Sequence, residues 1–358
     1  MKLSLHIALF LIIISLIVGI FSSNFLSEKI TFPNQETVTI TPIPTPTLIP
    51  TLTPTPEVIE IKISAIGDCT VGFDSSKIDY DKSYINQSPE DLSYYFNNVV
   101  NILSKDDLTI ANCEGVFTNS TNKRVKNETP YFSFKGPPEF AEVFKLGSVE
   151  YVNLSNNHSY DYWEEGLTDT KENLNKYSVG HFGGCYDKEE IIYFKKDEIT
   201  IALLGYNVLC LDYKTEANKI IKDLTLASSQ SDIQIISIHW GKERTKTPNE
   251  DQIWLAHYLI DNGVDLVLGT HPHVIQPIEV YQDKVIVYSL ANFTYGGHLN
   301  PQPETFIYQQ NFKFIDNKLI SSDWEIVPCL MYSGKTNNYQ PTIANETKAK
   351  EILDFLLP

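Results

Sequence analysis

Two histidines separated by a single residue, His271 and His273, form the clearest candidate for chemistry in this sequence. They follow residues 264–268, an apolar run with β-branched side chains that predicts a buried strand, so they lie where that strand ends. Pro272 between them restricts the backbone, and imidazoles on a stiff loop can bind adjacent metal ions. The alternative is a proline turn that carries polar residues, and the motif alone does not decide between the two.

Four more predicted strand ends carry side chains of the same chemical kind. These strands end at Asp68, at Glu114, at Asn157 with His158, and at His239. In open α/β sheets the ligand site lies outside the carboxyl ends of the strands, so these side chains should converge on one crevice. Carboxylates, imidazoles and amide oxygens together suit divalent metal ions. Each residue alone has an ordinary structural explanation, but their recurrence at successive strand ends favours a metal site.

The other histidines are predicted to lie away from this site. His257 falls inside a predicted helix over residues 249–262, His181 lies in a glycine-rich turn, and His6 lies in an apolar N-terminal stretch. His298 follows two glycines, and we leave open whether its loop reaches the crevice.

The elements that must position these residues alternate between strands and helices. We predict strands at residues 59–66, 107–111, 149–154, 200–205 and 233–238, and helices at 89–104, 138–146, 164–177 and 249–262. Two antiparallel hairpins, at 278–288 and 306–327, and a closing helix at 343–357 should follow. This order predicts an α/β fold with two packed mixed sheets flanked by helices.

Composition limits the classes of protein. The chain has 358 residues, of which 42% are hydrophobic, and a net charge of -17, which argues against a nucleic-acid partner because phosphate binding needs a basic face. Its five cysteines are scattered without a CxxC pair. Cys69 and Cys113 adjoin candidate site residues, and we expect small buried side chains there, with a disulfide as the minor alternative.

The N-terminal region predicts a membrane anchor. Residues 3–21 are almost wholly apolar, and a helix of that length, at ~1.5 Å per residue, is roughly 28 Å long, about the thickness of a bilayer core. We expect an uncleaved transmembrane anchor over residues 1–25, with a signal peptide as the alternative. The Thr/Pro-rich residues 26–57 should form an extended stalk, so that residues 58–358 form a domain outside the cytoplasm on a single-pass cell-membrane protein.

Two basic clusters stand out in this acidic chain. Each follows a candidate site motif, and together they could focus positive potential on an anionic substrate or polymer. The alternative is a pair of solvated loops. The clusters consist of Lys123, Arg124 and Lys126 after Glu114, and of Lys242, Arg244 and Lys246 after His239.

Six motifs occur in an order that resembles a known family. They are Gly67-Asp68, residues 112–115, Asn156-Asn157-His158, His239-Trp240-Gly241, residues 269–277 and residues 288–293. Together they look like the CapA family of capsule, or poly-gamma-glutamate, synthesis proteins, whose domain is similar to the calcineurin-like metallophosphoesterases. The resemblance implies a metallophosphatase-like α/β/β/α sandwich and a role in capsule or poly-gamma-glutamate biosynthesis or export, near a polymer synthase. The alternative function is hydrolysis of phosphoester or amide bonds.

The resemblance also implies roles for individual residues. One or two divalent ions (Mn, Fe or Zn) would be held, one by Asp68 and His273 and the other by Asn157, His239 and His271, with Glu114 between them and His158 as general acid. The chain departs from the metallophosphoesterase pattern at two positions. Its first motif should be Asp-x-His, but Asp68 is followed by Cys69 and Thr70. At the bridging position, where aspartate is usual, this chain has Glu114. In the CapA pattern a histidine is common where Thr270 stands.

Overall fold

The structure, a computed structural model, describes residues 57–74, 76–126, 132–184 and 190–357. These residues belong to one unit of the chain, Thr55–Pro358. The predicted anchor and the stalk up to residue 56 lie outside the described residues, and both stay predictions. Within the described ranges, no helix combines the length and apolar character needed to cross a membrane.

Strands dominate the described chain. In chain order they are β1 Val58–Thr70, β2 Leu108–Cys113, β3 Val116–Phe117, β4 Lys135–Gly136, β5 Tyr151–Asn153, β6 Gly180–Phe182, β7 Ile192–Lys196, β8 Ile199–Asn207, β9 Ile233–His239, β10 Leu266–Thr270, β11 Ile278–Tyr281, β12 Lys284–Val287, β13 Asn292–Tyr295, β14 Glu304–Ile315, β15 Lys318–Leu330 and β16 Thr342–Ile343. The α-helices are α1 Tyr84–Gln87, α2 Val100–Leu103, α3 Glu142–Leu146, α4 Trp163–Lys176, α5 Tyr213–Ser228, α6 Glu250–Asp261 and α7 Glu346–Leu356.

Two mixed sheets form the body of the fold. The larger has the order β16-β15-β14-β1-β2-β5-β6, with β13 pairing alongside the end of β1, and the smaller has the order β11-β12-β10-β9-β8-β7. Strands β1, β2, β5 and β6 run parallel in the first sheet, and β8, β9, β10 and β12 run parallel in the second. Parallel neighbours bring their carboxyl ends to the same edge, so each sheet presents one edge rich in loops.

Three apolar clusters separate the layers. The first packs one sheet against the other and includes Ile61 and Ile63 of β1 and Leu268 of β10. The second covers the outer face of the larger sheet, and the third covers the outer face of the smaller sheet beneath α5 and α6. Burial of each such Ile or Leu contributes about 1.5–3 kcal/mol. The predicted arrangement of two packed mixed sheets flanked by helices is therefore confirmed.

Local sequence signals set several boundaries. Helix α6 begins at a capping box in which Asn249 accepts from the backbone of Gln252 and the Gln252 side chain accepts from the backbone of Asn249, as the predicted helix over 249–262 requires. The hairpins β11–β12 and β14–β15 are antiparallel, as predicted. Strands β12 and β13, however, also pair in parallel with β10 and β1, which ties the C-terminal part into both sheets.

The helix predicted over residues 89–104 was wrong. This segment forms a 3-10 helix, Leu92–Phe96, and then the single turn of α2. The Asp91 side chain accepts the backbone N–H of Ser93 and so caps the shorter turn. Tyr95 and Phe96, neighbours in sequence, are both buried in the outer cluster of the larger sheet. Tertiary packing of this segment therefore overrides its helical propensity.

Candidate metal centre

The strand registers bring the predicted residues together. In the larger sheet Asp68 of β1 lies opposite Asn112 of β2 and Asn292 of β13. In the smaller sheet His239 of β9 lies opposite Thr270 of β10. All these positions lie at the carboxyl ends of parallel strands, except Asn292, which begins β13. The two sheets therefore contribute side chains to one crevice, as the sequence predicts.

The turn after β10 has an unusual backbone. His271 has a φ of 95° and His273 a φ of 57°, both in a region that costs non-glycine residues about 1–3 kcal/mol each. Two hydrogen bonds hold this turn: the His271 N–H donates to Asp68 Oδ2 at 3.2 Å, and the Arg244 N–H donates to the Pro272 carbonyl at 2.7 Å. These two bonds hold the turn and its two histidines in one conformation.

Glu114 lies at the centre of the crevice. Its Oε1 atom is 3.7 Å from Nε2 of His239 and 3.7 Å from Nε2 of His273, and it has no hydrogen-bond partner among the described residues. The side chain is completely buried, and burial is the main cause that raises the pKa of Glu114 to about 8, although nearby His273 opposes this shift. A buried carboxylate oxygen without a partner, between two imidazoles, fits a divalent cation.

Three groups of described residues bring together side chains that could bind a metal ion. The ligand atoms within each group lie within 4.8 Å of one another. Glu114 belongs to two of the three groups, which agrees with its predicted place between two metals. The groups are Asp68 with Glu114 and His273, Glu114 with His239 and His271, and Glu243 with His271 and His273. Carboxylates and imidazoles are the ligands that manganese, iron and zinc share.

The histidines differ in charge. Burial, and then His271 and His273, hold the pKa of His239 well below its ordinary value, and burial with His273 and His158 lowers the pKa of His271 to about 3. Both rings are therefore neutral at pH 7, as metal ligation requires. For His273, burial disfavours the charged ring, but the negative charges of Glu114 and Asp68 outweigh it and raise its pKa to about 10.

Asn157 and His158 reach the site from the loop after β5. The Asn157 Oδ1 atom is 2.9 Å from Nε2 of His239, so the predicted amide ligand adjoins a predicted imidazole ligand. Nδ1 of His158 is 2.7 Å from Oδ2 of Asp161. The His158 ring stacks on the ring of Phe134, with 4.2 Å between the ring centroids. Among the described residues, His158 belongs to none of the three candidate metal groups.

A cleft opens beside these residues. Its volume is about 520 Å³, and its lining includes His158, His273 and Tyr295. From the second basic cluster, Arg244 and Lys246 line the same cleft. His298 also lies in the lining of the cleft, so its loop, whose position the sequence did not predict, reaches this region.

The first basic cluster has other contacts. Nζ of Lys126 is 2.6 Å from Oδ1 of the fully buried Asp161, and it lies 3.4 Å from Nδ1 of His158. Arg124 lies over the ring of Trp163. Lys126 thus reaches the His158 side of the site, and the expectation of a purely solvated loop does not describe it.

Two asparagines that the motifs did not assign to the site also contact its predicted ligands. Asn112 donates from Nδ2 to Oδ1 of Asp68 at 2.7 Å, and Oδ1 of Asn292 lies 2.8 Å from Nδ1 of His273. The sequence signal was present, because Asn112 stands two residues before Glu114 at a strand end. By contrast His257 lies off the site, as predicted: it contacts Glu279 at 2.8 Å and stacks on a tyrosine ring.

Cys69 and Cys113 are buried free thiols. The prediction of small buried side chains is confirmed, and the disulfide alternative is not.

Comparison with known proteins decides the family. The family described as bacterial capsule synthesis protein PGA_cap matches residues 62–296 of this chain. The chain belongs to this family. It is 30% identical over 233 residues to the PGA biosynthesis protein CapA of Bacillus subtilis, covering 61% of each chain, and 24% identical over 254 residues to the capsule biosynthesis protein CapA of Bacillus anthracis, covering 66% of this chain and 60% of that one. The chain therefore spans about three fifths of the length of these relatives.

A solved structure of a putative 5'-nucleotidase from Staphylococcus aureus is also similar, at 13% identity and a TM-score of 0.47, over 83% of this chain and 58% of that one.

Proposed function

We propose that this chain is a membrane-anchored protein that acts outside the cytoplasm in capsule or poly-gamma-glutamate biosynthesis or export, and that it binds an anionic polymer in the cleft beside the metal centre. The cleft carries this proposal. Its volume of about 520 Å³ suits a segment of polymer, and Arg244 and Lys246 supply positive charge in a chain whose net charge is -17. Positive side chains in a concave site concentrate anionic ligands there.

Family membership supports the same choice of ligand. Two relatives are named for capsule or PGA biosynthesis, and two mycobacterial relatives, each matching over 72 residues, are named as probable polyglutamine synthesis accessory proteins. An accessory protein tethered by the predicted anchor would stay close to a membrane-bound synthase. We therefore propose a polymer synthase complex as its partner.

Polymer binding tests this function directly. The full-length chain is titrated with poly-gamma-glutamate and, separately, with neutral dextran, at low and at moderate salt and without added metal. We expect saturable binding of the polyanion that weakens as salt increases, because exposed charges are screened within about 10 Å at 0.1 M salt. Equal binding of dextran, or none of poly-gamma-glutamate, would contradict the proposal.

A second candidate function is hydrolysis of a phosphoester or amide bond. The arrangement of His158 beside Asp161 favours it, because burial lowers the pKa of His158 while a carboxylate that accepts from Nδ1 orients the ring and partly offsets that shift. His158 lines the cleft and is predicted to donate a proton to a leaving group there. A bound divalent cation supplies Lewis-acid chemistry and neutralises developing negative charge. Asp68, Glu114, Asn157, His239, His271 and His273 are the residues predicted to hold it.

Two chromogenic compounds test hydrolysis: p-nitrophenyl phosphate for phosphoesters and gamma-glutamyl-p-nitroanilide for amides. Turnover of either by the metal-loaded chain, and its loss in His158→Ala, is expected of an enzyme. Polymer binding without turnover of either compound would favour the accessory role alone.

A further inference from the structure

The loop after β9 brings a third carboxylate to the histidines. A carboxylate oxygen of Glu243 lies within 4.8 Å of one nitrogen each of His271 and His273. Asp68 and Glu114 are buried, whereas Glu243 is exposed and lines the cleft. Glu243 therefore approaches the site from the side on which a ligand would enter.

The loop is fixed to the turn that carries the two histidines. The Arg244 N–H donates to the Pro272 carbonyl at 2.7 Å, and Gln276 Nε2 donates to the Thr245 carbonyl at 2.7 Å. Both bonds involve the two residues that follow Glu243, and they join its loop to residues 272–276. The backbone next to Glu243 is therefore held close to the histidine turn.

His271 provides a second, independent observation. Its side chain is only 7% exposed, yet its Nδ1 atom has no hydrogen-bond partner among the described residues. Buried polar atoms are almost always paired, so an unpaired ring nitrogen is evidence that this atom binds a metal ion. His271 belongs both to the inner group with Glu114 and to the outer group with Glu243.

We propose that Glu243 is a metal ligand, and that with His271 and His273 it binds a divalent cation on the cleft side of the centre. This inference rests on the metal site described under the proposed function and extends it to a residue that none of the strand-end motifs contained. Because Glu243 faces the cleft, a carboxylate or phosphate oxygen of an incoming ligand competes with it for the same cation. Glu243 would thus link metal binding to occupation of the cleft.

Calorimetric titration of Mn²⁺ into the full-length chain tests the proposal with three variants. Glu243→Gln keeps the shape of the side chain but removes its charge, and Glu243→Asp keeps the charge but withdraws it by one methylene. Glu250→Gln makes the same change of charge at an exposed position in the first turn of α6. We expect both Glu243 variants to lose at least about tenfold in Mn²⁺ affinity, or one Mn²⁺ equivalent, and Glu250→Gln to match the wild type.

The inference is overturned if the wild-type chain binds no Mn²⁺, or if both Glu243 variants bind Mn²⁺ with wild-type affinity. It is also overturned if Glu250→Gln loses as much affinity as the Glu243 variants. Wild-type affinity in Glu243→Asp alone would overturn it too, because the effect of Glu243→Gln would then come from distant charge. Circular dichroism confirms that each variant is folded. The polymer proposal is judged separately, because poly-gamma-glutamate binding is measured without added metal.

Discussion

The Nε2 atom of His273 lies 3.7 Å from Oε1 of Glu114, and this contact joins the carboxyl ends of two different sheets. Glu114 follows β2 of the larger sheet, and His273 follows β10 of the smaller one. The candidate metal centre therefore depends on correct packing of the two sheets. A cation bound there would also stabilise the fold, because its ligands come together only in the folded chain.

Replacing a histidine of the turn should remove metal without unfolding the protein. We expect His271→Ala or His273→Ala to lower the metal content while the circular dichroism spectrum stays unchanged, because a loop at a strand end contributes little to core burial. Metal per chain is measured by inductively coupled plasma mass spectrometry. The control is His257→Ala, which removes an imidazole that contacts Glu279 away from the site. Equal loss of metal in this control would refute the assignment of ligands.

His158 should behave differently from the ligands. If it is a general acid outside the metal groups, His158→Ala should keep its metal and reduce any hydrolysis by ~10² to 10⁴. Asp161→Asn should reduce hydrolysis as well, because Asp161 contacts the His158 ring at 2.7 Å. The rates are measured with the two chromogenic compounds on metal-loaded protein. A His158→Ala protein that has lost all its metal would show that His158 is itself a ligand.

Metal binding should release protons. Without metal, the pKa of Glu114 is raised to about 8 and that of His273 to about 10, so at pH 7 the pair holds at least one proton that ligation must displace. Since both pKa values are raised, metal affinity should increase as the pH rises from 7 towards 9. Calorimetry in two buffers with different ionisation enthalpies counts the protons released. Identical binding enthalpies in the two buffers would be incompatible with this charge state.

The basic wall of the cleft should control polymer binding. The double variant Arg244→Ser, Lys246→Ser should bind poly-gamma-glutamate roughly tenfold more slowly and with a weaker dependence on salt, because positive charge near the cleft accelerates encounter with a polyanion. Stopped-flow fluorescence with labelled polymer measures the association rate.

The matched control for this experiment removes two lysines from α5. Lys214 and Lys222 are exposed on this helix and lie outside the lining of the cleft. The control variant Lys214→Ser, Lys222→Ser loses the same charge as the test variant. If both double variants slow binding equally, the effect belongs to net charge and not to the cleft.

The sequence predicted the architecture because its signals are local and repeated. Apolar runs that end in polar residues marked β1, β2, β9 and β10, and the chain order of strands and helices was enough to predict two sheets. The seven site residues, Asp68, Glu114, Asn157, His158, His239, His271 and His273, all lie around one crevice for the same reason: each sits at or just after the carboxyl end of a strand that runs parallel to its neighbours.

Other features depend on packing that no single segment reveals. The segment at residues 89–104 forms a 3-10 helix and a single α-helical turn rather than one helix, and its Tyr95 and Phe96 pack into the outer cluster of the larger sheet. Helix α5 was not predicted. Glu243 was not predicted as a site residue, because its proximity to His271 depends on hydrogen bonds between two loops of the smaller sheet.

Metal content of the purified full-length chain tests the central claim most directly. After dialysis against Mn²⁺, Zn²⁺ or Fe²⁺ and removal of free metal, the wild-type protein should retain one or two equivalents of at least one of these metals. Glu114→Gln should retain less, because Glu114 is shared by two of the three groups of candidate ligands. A folded wild-type chain that retains none of the three metals, or a Glu114→Gln chain that retains as much as the wild type, would contradict the metal centre described here.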